Sequence, residues 1–500
     1  MTRPDENELS RDRPRGRSRA QSFGLAIGVA AFVLLAIVPP PPGLEKDAQV
    51  VVALLALMAT WWVSEAIPIP ITSLMPLVVL PSFGVTSVRD AAAPFFSPIV
   101  VLLLGGFIVA KAVERWRLHE RLALLTVRQA GSRPEGLCAG FLAASAGLSA
   151  WISNTATSIM LMPVALSVAY SLGGKKGASA PLTVALVLSV AYGASIGGLA
   201  TPIGTPTNLI VIGALEQTGD DRLSFGRWMA FGVPTVLLVV PAAWFVLVRL
   251  SGRIGAPDGD PQTLVRDRLA ALGPWTTPEL RTLSSFGVIA FFWVFRQAFI
   301  EDIEFFGMRP FANLTDAVIA VAGAIAMFLI PSGSARERGS MLLDWETAVR
   351  IPWDVVLLFG GGLSLAAAIS ATGLGGWLGD AMTGLAILPS VLIILALAAF
   401  VIFATELTSN VATAAALSPV VIAMAAASSN DAALLSIPVA LSASCAFMFP
   451  MATAPNAIAY ASGEVSIPRM AIIGLKLNLI GVLAITFIAS EVAARVLAAG

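Results

Sequence analysis

Apolar runs long enough to cross a bilayer recur from one end of this chain to the other. A membrane-spanning helix needs about 20 mainly apolar residues. Runs of that kind lie near 21–38, 49–64, 68–82, 97–113, 180–216, 228–249, 284–299, 312–331, 353–384, 433–462 and 471–497. Only 12% of the 500 residues are charged and 57% are hydrophobic, where soluble domains carry about 25% charged residues. The chain reads as an all-α polytopic membrane protein with eleven transmembrane helices. Two further apolar segments, 136–172 and 387–428, are too long for one span and polar at their centres. They read as re-entrant hairpins.

The balance of 31 Lys+Arg against 31 Asp+Glu argues against a nucleic-acid partner. Cys138 and Cys445 stand alone in apolar stretches, so neither a disulfide framework nor a zinc site is expected. A single histidine, His119, leaves little room for a Ser/His/Asp hydrolase, and the chain is not expected to be an enzyme. GGKKG at 173–177 lacks the spacing of a phosphate-binding loop. The 251–282 segment is too short for a catalytic domain.

Basic residues in short loops set sidedness. The polar tail 1–20 carries Arg11, Arg13, Arg15, Arg17 and Arg19, and is expected to be disordered and cytoplasmic. The run at 21–38 reads as a first span rather than a signal peptide, since no small-residue cleavage site precedes PPPPG at 39–43. Counting spans from the inside, Lys111 to Arg133, Lys175-Lys176, Arg249 to Arg281, Arg336 to Arg350 and Arg469 all fall inside if 136–172 enters and returns on one face. The segment 387–428 then dips in from the opposite, outer face, with SSND at 428–431 outside.

These two hairpins belong to an internal repeat. VVLLLGG at 100–106 is echoed by VVLLFGG at 355–361, an offset of 255. SNTATSIMLMP at 153–163 is echoed by SNVATAAALSP at 409–419, an offset of 256. GTPTN at 204–208 is echoed by ATAPN at 452–456, an offset of 248. Repeats of opposite orientation mark secondary transporters, whose sites form where broken helices meet near the midplane. Proline and glycine at 202–206 and 450–455 predict such breaks. The domain reading follows: a tail 1–20, scaffold helices 21–95, repeat one 96–220, scaffold helices 221–350 with a cytoplasmic loop 251–282, and repeat two 351–500.

Irregular backbone at membrane depth survives only where protein or a water-filled cavity satisfies it. At a hairpin tip one half-helix ends in free carbonyls and the next begins with free N–H groups. Carbonyls, hydroxyls and the Asn amide oxygen are hard ligands suited to sodium, while helix N-termini suit an anion. Ser153, Asn154 and Thr155, with Ser409 and Asn410, therefore suit coupled cation and anion binding, and neither tip contains Arg or Lys. Glu65 and Glu406 are ionisable groups near membrane depth, read first as structural partners of neighbouring helix breaks. Lys476 is read as snorkelling, and ERWRLHERL at 114–122 as an interfacial amphipathic helix with His119 solvated.

Over nearly its whole length from residue 49, the chain resembles the divalent anion/sodium symporter family, carriers of di- and tricarboxylates or sulfate. The resemblance rests on WWVSEAIPIPITSLMPLVVLP at 61–81, LLGGFIVAKAVERWRLHERLAL at 103–124, WISNTAT at 151–157, TELTSNVATAAALSP at 405–419 and ATAPNAIAYASG at 452–463. It implies a homodimer in the cell membrane, with scaffold and elevator-type transport domains, that takes up C4-dicarboxylates with sodium ions. A sulfate carrier or a sodium-independent dicarboxylate exchanger is the alternative. By the family pattern one sodium site would use Ser149, Ser153, Asn154 and the carbonyl of Gly204. The other would use Thr405, Thr408, Asn410 and the carbonyl of Ala452. Substrate carboxylates would meet Asn154, Thr155, Asn410 and Val411, with Thr205, Pro206 and Thr453 nearby. Three positions depart from the pattern: Val411 stands where many bacterial members have Thr, Ala454 where many have Pro, and Arg469 where an acidic residue commonly precedes Met470.

Overall fold

The computed structural model describes residues 17–172, 180–250, 261–301, 303–304, 308–381, 388–427 and 430–498. Most of the Arg-rich tail, GGKKG at 173–177, residues 251–260 of the expected loop and the two serines of SSND lie outside the described residues.

The described chain is helical, and its only bridge pairs Pro331 with Met341. A capping box between Ser18 and Gln21 starts α1 (Arg19–Ile37), which packs along α2 (Lys46–Ser64). The span expected at 68–82 is broken into α3 (Ile69–Thr72) and α4 (Met75–Ser82). Pro76 has no N–H to offer the Thr72 carbonyl, which interrupts the ladder there. After α5 (Val88–Ala92) comes α6 (Pro98–Arg115), which packs on α15 (Asp316–Leu329). Arg117, left-handed at φ 52°, turns the chain into the amphipathic α7 (Leu118–Gln129).

Both hairpins form. The first is α8 (Pro134–Ser149) and α9 (Asn154–Ser171); the second is α19 (Ser390–Thr405) and α20 (Asn410–Ala427). Both expected breaks form too. One separates α10 (Pro181–Gly197) from α11 (Pro206–Glu216), the other α21 (Ala432–Ala443) from α22 (Ala454–Ala461). Gly193 and Gly197 let α10 press against α8. A Cβ on them would lie 2.7 Å from the Leu142 carbonyl oxygen and 2.1 Å from that of Ala146. Such small-residue contact is how helices approach closely where apolar transfer contributes little.

The remaining helices are α12 (Phe225–Leu250), α13 (Pro261–Leu272), α14 (Thr277–Phe295), α16 (Trp345–Ala348), α17 (Trp353–Ala371), α18 (Leu374–Ala381), α23 (Ile467–Phe487) and α24 (Ala494–Ala498). Two differ from expectation. The segment 251–282 contains α13 and the start of α14 rather than loop alone. The span 353–384 divides at Gly373, whose φ of 69° separates α17 from α18. Among the described residues, six helical stretches are long and apolar enough to cross a membrane, and shorter apolar helices accompany them. This is a multi-pass membrane protein.

Arg121 on α7 is buried and paired with Glu279 at 2.7 Å. It also donates to the carbonyls of Leu272, Gly273 and Pro274, so it pins the α13–α14 turn. Glu279 at the same time closes a capping box with Thr276.

Candidate functional site

Ser149 closes α8, and its hydroxyl donates across the tip to Asn154 Oδ1. Thr405 closes α19 and donates to Asn410 Oδ1 at 2.6 Å. Both members of the second pair lie 256 residues beyond the first. The echo in sequence is thus an echo in hydrogen bonding. The Ser153 hydroxyl accepts the Ala156 N–H at 3.2 Å and caps α9.

The breaks repeat as closely. Asn208 Nδ2 donates to the carbonyls of Gly198 at 2.9 Å and Thr201 at 2.8 Å. Asn456 Nδ2 donates to those of Ala446 at 3.0 Å and Phe449 at 3.1 Å. All three positions are shifted by 248 residues. In each break the second half-helix sends an amide back to hold two carbonyls of the irregular backbone. Sequence reasoning missed both asparagines as site residues, although each closes a quoted motif, GTPTN or ATAPN.

The copies differ in how the irregular backbone is braced. Glu406, 2% exposed, accepts the N–H groups of Phe447 at 2.7 Å, Met448 at 2.8 Å and Phe449 at 3.1 Å, and Asn478 Nδ2 at 2.7 Å. It is a structural partner of the second break, as expected from sequence. Its counterpart in the first copy is Ala150. There the Thr201 hydroxyl donates to the Ala150 carbonyl and accepts the Gly204 N–H, while Trp228 Nε1 holds the Leu199 carbonyl at 3.0 Å. Thr408 donates to the Ala404 carbonyl at 2.9 Å and shares a bond with Thr413 at 2.7 Å. Ser444 in the second break joins Thr207 of the first at 2.8 Å, linking the two copies directly.

Both tips and both breaks line one cavity of about 790 Å³. Of the residues singled out from sequence, Ser153, Asn154, Thr155, Gly204, Thr205, Pro206, Thr408, Asn410, Val411, Ala452 and Thr453 line it. Ser149 and Thr405 do not; both are fully buried, behind Asn154 and Asn410. The half-helices α9, α11, α20 and α22 all begin at the cavity wall, so four N-termini open onto it.

Oxygens also lie close together around Gly198 and Gly204. A Cβ on Gly198 would lie 2.9 Å from Asn154 Oδ1 and 3.1 Å from the Gly204 carbonyl oxygen. A Cβ on Gly204 would lie 3.1 Å from the Ala150 carbonyl oxygen. Carbonyl and amide oxygens are the ligands a hard cation takes. In the second copy the position of Gly198 is taken by Ala446, so the two copies are not equivalent.

Charged groups also reach the wall: Glu65, Lys111, Glu114, Arg350 and Asp354. Lys111 pairs with Glu114 at 2.6 Å. Glu65, at φ 48°, ends α2 and is exposed rather than bonded to a break, unlike the expectation for it. Asp344 caps α16 and pairs with Arg115 at 2.6 Å. Burial raises its carboxyl, but the Thr347 hydrogen bonds and the nearby Arg115 and Arg350 prevail and hold it below the ordinary range. Elsewhere, His119 is half-buried with Nδ1 3.2 Å from the Val113 carbonyl oxygen, rather than solvated. Lys476 is exposed on α23, as snorkelling requires. Both cysteines are buried and unpaired.

Comparison with known proteins agrees with this geometry. A family model described as the sodium:sulfate symporter transmembrane region matches residues 19–497. The sodium-dependent dicarboxylate transporter SdcS of Staphylococcus saprophyticus is 36% identical over 477 residues, covering 94% of this chain and 90% of that protein. The SdcS protein of Staphylococcus aureus is 35% identical over 480 residues, covering 94% and 91%. Among solved structures, the YdaH transporter of Alcanivorax borkumensis superposes with a TM-score of 0.56 at 14% identity, covering 94% of this chain and 96% of that one. At that identity the likeness concerns fold alone.

Proposed function

Because the chain belongs to the sodium:sulfate symporter family, we propose that it is a secondary active transporter coupling sodium to uptake of C4-dicarboxylates such as succinate, malate and fumarate. The observation that carries this reading is the single cavity shared by both SN tips and both breaks. Each helix N-terminus presents about half a positive charge. Four of them amount to about two charges, a match in magnitude for a dicarboxylate dianion. The names of the SdcS relatives support both the sodium and the dicarboxylate.

In this reading sodium is cargo, held by the half-helix ends that offer oxygens. The first ion takes Asn154 and the Gly204 carbonyl, with Ser149 and Ser153 beside them; the glycine-sized space at Gly198 supports this. The second takes Asn410, Thr405, Thr408 and the Ala452 carbonyl. Asn154 and Asn410 each serve twice, their oxygens toward the ion and their N–H groups toward a carboxylate. Neutralising the tips with cations then strengthens the anion's site, which is the physical basis of coupling. Thr155, Thr205, Pro206, Val411 and Thr453 complete the anion's surroundings. Repeats 96–220 and 351–500 move together as an elevator against scaffold segments 21–95 and 221–350 in a homodimer. The N-terminus is cytoplasmic and the membrane is the cell membrane, the inner one in a bacterium.

The test is uptake into proteoliposomes. An inward sodium gradient drives radiolabelled succinate uptake, and Asn154→Ala or Asn410→Ala abolishes it. Uptake that survives replacement of sodium by choline would refute symport and favour exchange. Sulfate uptake that succinate does not compete with would refute the dicarboxylate assignment.

A further inference from the structure

Behind the first tip, away from the central cavity, lies a second void of about 260 Å³. Leu122 on α7, Gly147 and Leu148 on α8, Trp151 at the tip, and Leu283 and Phe286 on α14 form much of its wall. The Thr126 hydroxyl, also on the wall, is bonded to the Leu122 carbonyl at 3.0 Å. Trp151 is held rigid there, stacked on Phe225 with centroids 6.0 Å apart and edge-on to Phe286 at 5.2 Å.

The void is open along α8. Ala143 and Gly147, one turn apart, are both exposed, and a Cβ on Gly147 would meet nothing within 4 Å. The helix α14 that forms the far wall also presents Leu280, Val288 and Phe291, each at least half exposed. In a membrane protein such a face is covered by lipid. A lateral groove with apolar walls gives water too few polar partners to stay. Lipid tails are as apolar as the wall, so transfer alone contributes nothing. The gain is dispersion contact for side chains that otherwise face a gap.

From this geometry we propose that the groove is a binding site for one lipid acyl chain, seated against Trp151 at the back of the tip that carries Ser153 and Asn154. The site depends only on membrane embedding, so it stands or falls separately from the substrate assignment.

The experiment uses the full-length protein in proteoliposomes containing phosphatidylcholine with a diazirine in mid-acyl chain. After photolysis, adducts are mapped by peptide sequencing. Adducts are expected on 147–152 and 283–286. Gly147→Leu, which fills the groove, should lose them while adducts on Leu280 and Val288 persist. Gly147→Ala replaces glycine by a better helix former; it should fold at least as well and give fewer groove adducts than the parent. Adducts confined to Leu280, Val288 and Phe291 would mean annular lipid only and overturn the proposal. So would groove adducts unchanged in both variants.

Discussion

Glu406 offers the sharpest test of how the second break is held. Its two oxygens meet four N–H donors, three of them consecutive backbone amides, and the side chain is 2% exposed. Replacing it by Ala orphans the Met448 and Phe449 amides, at about 1–3 kcal/mol each, while the Phe447 N–H keeps its second acceptor, Asn478 Oδ1 at 3.3 Å. The sum, about 2–6 kcal/mol, is a large part of the stability of a typical domain. Gln is milder. Its single oxygen can take the place of Oε1, keeping the bonds from Phe447, Met448 and Asn478. Its NH₂ then faces the Phe449 N–H, so one amide is lost, at about 1–3 kcal/mol. The order of damage is therefore Ala worse than Gln, and Gln worse than parent. Thermal unfolding in detergent reads the stability, and sodium-driven succinate uptake reads the geometry of Ala452 and Thr453 just downstream. Glu406→Ala unfolding at the parent's temperature with normal uptake would refute the bracing role. Glu406→Gln more damaging than Glu406→Ala would refute the donor-counting argument.

Gly198→Ala places a methyl 2.9 Å from Asn154 Oδ1; it should raise the sodium concentration for half-maximal uptake, and an unchanged sodium curve would exclude an ion there. Asn208→Ala and Asn456→Ala each remove two hydrogen bonds to break carbonyls, about 2 kcal/mol in all; both should depress uptake, and equal loss is expected if the copies share one role. Arg121→Ala strands Glu279 and should destabilise by about 3–5 kcal/mol; the double variant Arg121→Met, Glu279→Leu should recover much of it, measured by thermal unfolding. Val411→Thr restores a hydroxyl at the cavity wall and should tighten succinate by about fivefold, worth about 1 kcal/mol if it meets a carboxylate; competition uptake measures it.

Much of this site was legible because the residues that make it are conspicuous where they stand. A Ser-Asn pair, or a Thr with Pro and Asn just after it, has no lipid-facing explanation inside an apolar run, and finding each twice gave both the hairpins and the breaks. The braces were less visible for a physical reason: they act across tertiary distance. Glu406 serves amides some forty residues on, and Trp228 reaches back to Leu199 from another helix. Local pattern carries no trace of such pairings. Helix α13 escaped notice because a polar helix at the membrane edge has no apolar run to betray it. The split between α17 and α18 depends on one left-handed glycine within a continuous apolar stretch.

The two offsets differ, 256 residues for the tips and 248 for the breaks. The discrepancy of eight residues falls between tip and break. Nine residues, 172–180, separate α9 from α10 and four, 428–431, separate α20 from α21, which accounts for five; α10 begins three positions farther ahead of its break asparagine than α21 does, which accounts for the rest. Position by position, each cavity-facing unit repeats its partner, and only the number of residues between units differs. An affinity tag or fluorophore added between the units of the first copy therefore leaves the internal spacing of each unit as it is.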